Sequence, residues 1–149
     1  MTIKIITIGN KSSPPHQSII DEYMKRFPRN ISIDWQCLKH GSGTPSNSKQ
    51  QESESILNLL SEKYKVILLD EIGKQMSSPQ LSKKLFGTNQ DVCIIIGGAY
   101  GVSETVLKRA DTVWSLSDLV FPHQLVRVIL AEQIYRAYTI SINHPYHHS

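Results

Sequence analysis

Two arginines on one long apolar segment are the side chains whose placement most strongly suggests chemistry. The spacing of apolar residues from 122 to 138 predicts a helix; at about 100° per residue, Arg136 falls on its polar face and Arg127 on its apolar face. Arg127 also lies in the second turn, where the helix dipole disfavours a cation. An apolar face and the start of a helix both disfavour a cation, so the position of Arg127 indicates an anionic partner. That partner is either the carboxylate or phosphate of a ligand, or a buried acid of the chain such as Asp118 or Glu104.

The segment after this helix is rich in histidine and has no acidic residue. It reads NHPYHHS and includes His144, Tyr146 and His147. Such side chains stack on unpaired bases and contact phosphates, so the tail is interpreted either as an RNA contact or as a frayed surface terminus. The histidines lack the regular spacing of a zinc site and no paired cysteine accompanies them, so no metal is expected.

A glycine-rich loop, GGAYG at residues 97 to 101, follows an apolar run and precedes a helix that Ser103 caps. In open parallel sheets, ligands bind outside the carboxyl ends of the strands, and glycine lets a ligand approach the backbone closely. The loop matches neither the dinucleotide-binding nor the P-loop pattern. It is therefore either a ligand-binding loop of another kind or a structural turn.

A second unusual loop, LSDLVF at residues 116 to 121, is apolar where a connection between a strand and a helix is normally polar. We expect such a loop to be buried, in which case its backbone amides need hydrogen-bond partners. An adenine ring, with flat apolar faces and polar edges, would supply both kinds of contact. The alternative is a loop packed under neighbouring elements.

The elements that must position these residues alternate between strands and helices. This alternation predicts an α/β fold with a mostly parallel sheet and helices on both faces. The acid-free segment from 39 to 50 is predicted to be a mobile loop, either a plain connection or a weak RNA contact. Strands are predicted at 3–8, 31–37, 65–70, 91–96 and 112–115, and helices at 18–27, 52–63, from 78, at 103–110 and at 122–138.

Length and composition restrict the classes of protein. With 149 residues the chain is expected to form one domain, residues 1–149. A net charge of +3 is too small to establish nucleic-acid binding by itself. No stretch approaches the length of a membrane span, no signal-peptide pattern is seen, and Cys37 and Cys93 both fall in predicted strands. We therefore expect a cytoplasmic protein without disulfides that does not enter a membrane.

Three stretches of the sequence resemble the RlmH group of SPOUT methyltransferases. They are IIIGGAYG (94–101), WSLSDLVFPHQLVRVILAEQIYRA (114–137) and the ending NHPYHHS, and the likeness extends to ITIGNK and EYMKRFP near the start. The resemblance implies a C-terminal trefoil knot, a rare exception to the usual chain topology, and a homodimer with the long helix in its interface. It also implies methylation of N3 of a pseudouridine in a 23S ribosomal RNA stem-loop on the assembled ribosome, with S-adenosylmethionine as donor.

The resemblance also assigns roles to particular residues. N3 lies between two carbonyls and must lose its proton, so we hypothesise that His123 or His144 assists, with Arg127 as a further catalytic candidate that positions phosphate. The RNA-binding candidates are Arg136, Tyr146 and His147. The donor-binding positions implied are Leu69, Gly97, Leu116, Ser117, Asp118, Leu119, Val120 and Phe121.

Two other classes of function remain open from the residues alone. One is a non-catalytic α/β module that binds RNA or the ribosome through the same basic surfaces. The other is a different α/β transferase or nucleotide-binding protein, which the absence of a phosphate-binding motif disfavours.

Overall fold

The computed structural model describes residues 1 to 148, and strands and helices alternate along them. The alternation follows from continuous apolar runs that form buried strands and from amphipathic segments that form helices. The elements are β1 (Thr2–Ile8), α1 (Pro14–Met24), β2 (Ser32–Leu38), α2 (Pro45–Leu59), β3 (Lys65–Lys74), α3 (Ser78–Phe86), β4 (Val92–Ile96), α4 (Glu104–Arg109), β5 (Thr112–Trp114) and α5 (His123–Ser141).

The five strands form one sheet in the order β2-β1-β4-β3-β5. β4 lies at its centre and pairs in parallel with β1 and β3, and β3 pairs in parallel with β5. In the register of the centre, Ile5 and Ile67 both lie beside Ile94. Parallel neighbours need crossover connections, which explains why helices separate the strands. The prediction of an α/β fold with a mostly parallel sheet is confirmed.

The chain divides into two compact units, each made of three segments that alternate along the sequence. The first contains the sheet with α2 and α4, in Met1–Lys11, Ile33–Gln75 and Gln90–Asp118. The second contains α1, α3 and α5, in Ser12–Ser32, Met76–Asn89 and the chain from Leu119 onward.

In the first unit, the strands and the two helices share one apolar core. Ile56 of α2 and Val106 of α4 are fully buried in a cluster with Ile6, Leu68 and Ile95 of the strands. Burying each such side chain contributes about 1.5–3 kcal/mol. This core fixes α2 on the strands, and α2 also contacts the chain around the glycine loop.

In the second unit, α5 packs against both α1 and α3. Aromatic rings form much of the contact: Phe27 lies edge-on to Tyr135 with 5.8 Å between ring centroids, and Phe86 lies 5.8 Å from Tyr138. The hydroxyl of Ser82 on α3 donates to the carbonyl of Ala137 at 2.7 Å. The helix that carries the two arginines is therefore held along its length.

The prediction of a mobile loop from 39 to 50 is wrong for its second half. α2 begins at Pro45, seven residues before the predicted start at Glu52. Thr44 caps it, because its hydroxyl accepts a hydrogen bond from the Asn47 amide at 3.2 Å, and Pro45 occupies the first helical position. Both are established helix-start signals, and the low apolar content of the segment concealed them.

Three other elements differ by three residues or more from their predicted bounds, and one of them is α5, which ends at Ser141 rather than Tyr138. α1 begins at Pro14 rather than Ser18 and ends at Met24 rather than Phe27, since the Pro pair at its start supplies the helical φ values. β3 continues past Asp70 to Lys74, with an irregularity in its pairing to β5 between Leu69 and Lys74. Within residues 1 to 148, no helix is long and apolar enough to cross a membrane.

Candidate active site

Two predicted donor-binding residues of the first unit, Leu69 and Gly97, lie where the pairing between β3 and β4 ends. Leu69 is buried at the point where β3 lies beside Ile96 of β4 and Trp114 of β5. Gly97 follows β4 directly. The structure thus brings Leu69 and Gly97 to the same edge of the sheet, which is where parallel sheets bind ligands.

The glycine loop is a tight turn with little room for side chains. Gly101 has a φ of 78°, which favours glycine, and its amide donates to the carbonyl of Gly98 at 3.0 Å. A Cβ on Gly97 would lie 3.0 Å from Cγ1 of Val102. Glycine at 97, 98 and 101 leaves the backbone there without side chains, and the Gly98 carbonyl and the Gly101 amide pair with each other.

The loop from 116 to 121 is less buried than its apolar sequence predicts. Ser115 anchors its start: its amide donates to the Lys74 carbonyl at 3.1 Å and its hydroxyl to the Ser117 carbonyl at 3.0 Å. Leu116, Ser117 and Phe121 are half-buried, and Asp118 is exposed.

Leu119 and Val120 contradict the expectation of a buried loop, because they are 71% and 78% exposed. Hydrogen bonds of Ser115, rather than packing of apolar side chains, support the start of the turn. Adjacent exposed apolar side chains are typical of a surface that a ligand or a partner covers.

The first turns of α5 carry His123 and Arg127. Pro122 is the N-cap, its carbonyl accepts from the amides of Leu125 and Val126, and His123 is half-buried as the first helical residue. Arg127 is only 2% exposed, and its guanidinium donates to the hydroxyl of Ser12 at 3.4 Å. The prediction that Arg127 lies on the apolar face of this helix is confirmed.

The end of α5 reverses the chain so that the tail lies along the helix. Asn143 adopts a left-handed conformation with a φ of 57°. The Asn143 amide donates to Ile140 at 3.2 Å and the His144 amide to Thr139 at 2.9 Å. These two bonds form a Schellman motif, with asparagine in the position that glycine usually holds.

The returning tail forms one cluster with the last turns of α5, centred on Glu132. Oε1 of Glu132 accepts from Arg136 Nε at 2.9 Å, from Arg136 Nη2 at 2.5 Å and from the Tyr146 hydroxyl at 3.0 Å. Arg136 lies over the Tyr146 ring at 4.9 Å from its centroid, and its Nη1 lies 3.2 Å from Nδ1 of His147. The rings of Tyr135 and Tyr146 meet edge to face at 4.9 Å. The predicted RNA-binding residues Arg136, Tyr146 and His147 are therefore neighbours; below, these three with Glu132 are called the tail cluster.

The protonation states of the tail cluster follow from its contacts. The hydrogen bond to Glu132 raises the pKa of Arg136, so this side chain remains a cation. Burial, followed by hydrogen bonds to Tyr23 and Glu132, raises the pKa of Tyr146 above its ordinary value of 10.0. Tyr146 is thus a neutral phenol at physiological pH, and its hydroxyl donates a hydrogen bond to Glu132.

The two predicted proton acceptors are differently placed. His144 is exposed, and its Nδ1 accepts from the Tyr146 amide at 3.1 Å, next to the tail cluster. His123 begins α5, thirteen residues before Arg136, which at 1.5 Å per residue separates the two by roughly 20 Å along the helix. His123 and the tail cluster of the same chain therefore do not contact one atom of a substrate together.

Glu132 is a site residue that the sequence reasoning missed. At about 100° per residue, Glu132 falls beside Arg136 on the polar face of the helix, where an acid is ordinarily solvated. The available signal was its spacing of four residues before Arg136, the arrangement in which an acid and a base pair along a helix. Among residues 1 to 148, no group of three or more His, Cys, Asp or Glu residues is arranged to hold a metal ion.

Comparison with known proteins agrees with this architecture. The family model described as "Predicted SPOUT methyltransferase" matches residues 1–147. The chain belongs to the SPOUT methyltransferase family. The fold is also similar to the solved structure of "a probable methylase family protein from Haemophilus influenzae Rd KW20", with a TM-score of 0.58 at 10% identity over 95% of this chain and 66% of the other.

Curated relatives cover the whole of this SPOUT family chain. Proteins named "Ribosomal RNA large subunit methyltransferase H" from Hahella chejuensis and Clostridium botulinum (strain Eklund 17B) are each 41% identical to it. The protein of that name from Flavobacterium johnsoniae is 40% identical. In all three comparisons the aligned region covers 99% of this chain and 99% of the relative.

Proposed function

We propose that this protein is an S-adenosylmethionine-dependent methyltransferase that modifies N3 of a pseudouridine in 23S ribosomal RNA on the assembled ribosome. The observation that carries the proposal is the full-length similarity to relatives named as large-subunit ribosomal RNA methyltransferases. The tail cluster supports it, because a cation, a phenol and an imidazole lie side by side on one surface.

The donor would be held where the bare glycine loop meets the strand ends. Leu69 and Gly97 would supply apolar and backbone contacts there, next to Leu116 at the start of the loop after β5. The exposed Leu119 and Val120 remain donor-binding candidates. These groups fit a ligand that combines a flat ring with polar edges. S-adenosylmethionine brings an already activated methyl group, so the protein mainly has to align the transfer and exclude water.

The acceptor nitrogen has to lose its proton before or during transfer. We retain His123 and His144 as candidate bases, with Arg127 as the residue that would stabilise negative charge near the start of α5. His144 is the better placed to meet RNA, since it is exposed beside the tail cluster.

The tail cluster would bind RNA around the modified base. Arg136, held by Glu132, offers its remaining N–H groups to a phosphate. Tyr146 and His147 offer ring faces for an extruded base, because a base must leave its stack to be modified.

The assembly that we propose is a homodimer of one-domain chains located in the cytoplasm. The interleaving of the two compact units along the sequence favours a single domain, and so does the family match over residues 1–147. The partly exposed Leu125 on α5 and the exposed Leu119 and Val120 before it provide apolar surface for a partner. We also propose that the C-terminal part of the chain forms the trefoil knot that the family resemblance implies.

Calorimetry with S-adenosylhomocysteine and S-adenosylmethionine tests the donor part of the proposal. Binding of either ligand to the purified protein, with or without ribosomes, is the expected result. If neither ligand binds under any of these conditions, a non-catalytic RNA-binding module becomes the better account.

The candidate bases are tested by single-turnover methylation of ribosomes with H123A and H144A variants at saturating donor. Replacing the true base should slow transfer about 100-fold or more, which is the lower range of general-base effects, and should leave donor affinity unchanged. Full turnover by both variants would eliminate both histidines as bases.

A further inference from the structure

A carboxylate that has no part in the site described above is buried beside the glycine loop. Glu52, on α2, is only 3% exposed. Its Oε2 accepts from the Gly41 amide at 2.9 Å and from the Ser48 hydroxyl at 3.2 Å. Within residues 1 to 148 its Oε1 is buried without a hydrogen-bond partner, so a polar atom has been placed here at an energetic cost.

Gly98 provides the space that this oxygen occupies. A Cβ on Gly98 would lie 2.4 Å from Oε1 of Glu52 and 3.3 Å from Cγ2 of Ile8. Gly98 is not among the glycines with positive φ, so its backbone conformation is open to any residue. Glycine is therefore required at this position by the presence of Glu52, not by the turn.

The carboxylate cannot easily move away from the loop. A Cβ on Gly41 would lie 2.4 Å from the carbonyl oxygen of Ser48, so the 41 amide reaches Glu52 only because residue 41 is glycine. Nδ1 of His40 lies 3.9 Å from Oε2, on the same side as these donors. The chain from 40 to 48 thus fixes Oε2 of Glu52, and Oε1 lies next to Gly98, where a Cβ of residue 98 would be.

The next residue of α2 holds the far end of the same segment. Ser53 is buried, and its hydroxyl oxygen accepts from the Ser103 amide at 2.9 Å. Adjacent side chains of α2 therefore contact the chain immediately before and after the turn at 99 to 101. Ile56 anchors α2 in the core of the first unit. The position of α2 therefore determines how far the glycine loop lies from the ends of the strands.

We propose that Glu52 is a positioning residue for the methyl-donor site, which acts through Gly98 without touching the donor. The inference rests on the proposed function, in which the glycine loop binds the donor. It assigns to α2, a helix outside the donor-binding segments, control over donor affinity.

The test is a double-mutant cycle on the full-length protein, with calorimetric Kd values for S-adenosylhomocysteine. The added methyl of G98A meets the fixed carboxylate, so we expect the loop to shift and the Kd to rise about tenfold or more. E52A removes the obstacle, and we expect the G98A/E52A variant to bind within about threefold of E52A alone. A tenfold loss from G98A that is the same with or without Glu52 overturns the proposal.

Two variants separate this role from a general loss of structure. G97A is the matched control, because its Cβ would meet Val102 and not Glu52; its effect should simply add to that of E52A. E52Q keeps the shape and the acceptor oxygen for Gly41 and Ser48, so it should bind within about threefold of wild type while E52A does not. An E52Q variant as weak as E52A, or an equal coupling at Gly97, contradicts positioning through Gly98.

The cycle also distinguishes its own failure from that of the proposed function. A wild-type protein that binds no S-adenosylhomocysteine refutes the proposed function, and the donor effect of Glu52 with it. Non-additive unfolding free energies of the same variants would then report the contact alone. Coupling in unfolding free energy without coupling in Kd overturns the positioning role and leaves Glu52 a structural residue.

Discussion

At the scale of single residues, the tail cluster depends on one carboxylate oxygen that accepts three hydrogen bonds. Oε1 of Glu132 receives two N–H groups of Arg136 and the hydroxyl of Tyr146, and the side chains of Glu132 and Arg136 are mostly buried. Hydrogen bonds to a charged acceptor are stronger than those between neutral groups. Glu132 therefore orients the residues proposed to meet RNA without facing the RNA itself.

Replacing Glu132 tests this orientation. E132Q and E132A should lower kcat/KM for ribosome methylation by roughly 10- to 100-fold, the equivalent of losing about 1.5–3 kcal/mol of charged hydrogen bonding. Donor Kd should not change. E22Q is the matched control, because Glu22 also pairs with a base along a helix but is well exposed. Equal effects of E132Q and E22Q would remove the argument for the cluster.

The pKa of Tyr146 predicts how stability depends on pH. Its folded-state pKa is raised above 10.0, so folding favours the neutral phenol. The stabilisation is present below the unfolded pKa near 10 and is lost as pH rises through the folded pKa. Urea unfolding of wild type and Y146F at pH 8 and above pH 10 should show that Y146F loses less stability over this interval. Y100F, at an exposed tyrosine, should behave as wild type.

At the scale of elements, the sequence predicted the strands well and the helix starts less well. Continuous apolar runs such as 66–69 and 92–96, bounded by polar residues, are typical of buried strands. The sequence did not predict the early start of α2, because the residues that follow Thr44 and Pro45 in the first turns of the helix are almost all polar. The consequence is large, since the buried Glu52 and Ser53 lie on this helix. Which polar residue is buried depends on packing between distant segments, and periodicity cannot show it.

The reversal after α5 gives a prediction about this element. Asn143 holds a positive φ, which a β-branched residue tolerates poorly, so N143V should destabilise the protein by about 1–2 kcal/mol and weaken ribosome methylation by displacing the tail. N143G should be at least as stable as wild type, because glycine adopts this conformation freely. Urea unfolding measures both. N89V, at an exposed asparagine without positive φ, is the control and should change little.

At the scale of the whole molecule, the family assignment rests on similarity along the full chain, whereas the candidate site rests on contacts between a few side chains. Sequence reasoning located the glycine loop, the buried Arg127 and the histidine tail, and the structure confirms the placement of Arg127 and joins Arg136, Tyr146 and His147. Sequence reasoning could not predict the order of strands in the sheet, because that order depends on pairing between segments far apart in the chain. The apolar loop at 119 and 120 was expected to be buried and is exposed, which fits a surface that something covers.

The proposed homodimer is tested by sedimentation equilibrium at micromolar concentration. The expected mass is twice the 16.9 kDa of the chain. L125D places a charge on exposed apolar surface of α5 and should shift the mass toward that of one chain, whereas I72D, at an exposed position on β3, should not. A wild-type protein that sediments as a single chain would contradict the dimer.

The central claim is tested most directly by transfer of tritiated methyl from S-adenosylmethionine to ribosomes that lack the modification, followed by mapping of the labelled nucleotide. The account predicts about one methyl group per ribosome, on N3 of a single pseudouridine of the 23S RNA, and transfer that E132A slows by roughly 10- to 100-fold. Label on another RNA or another atom, or no transfer to ribosomes by a protein that binds the donor, would contradict it.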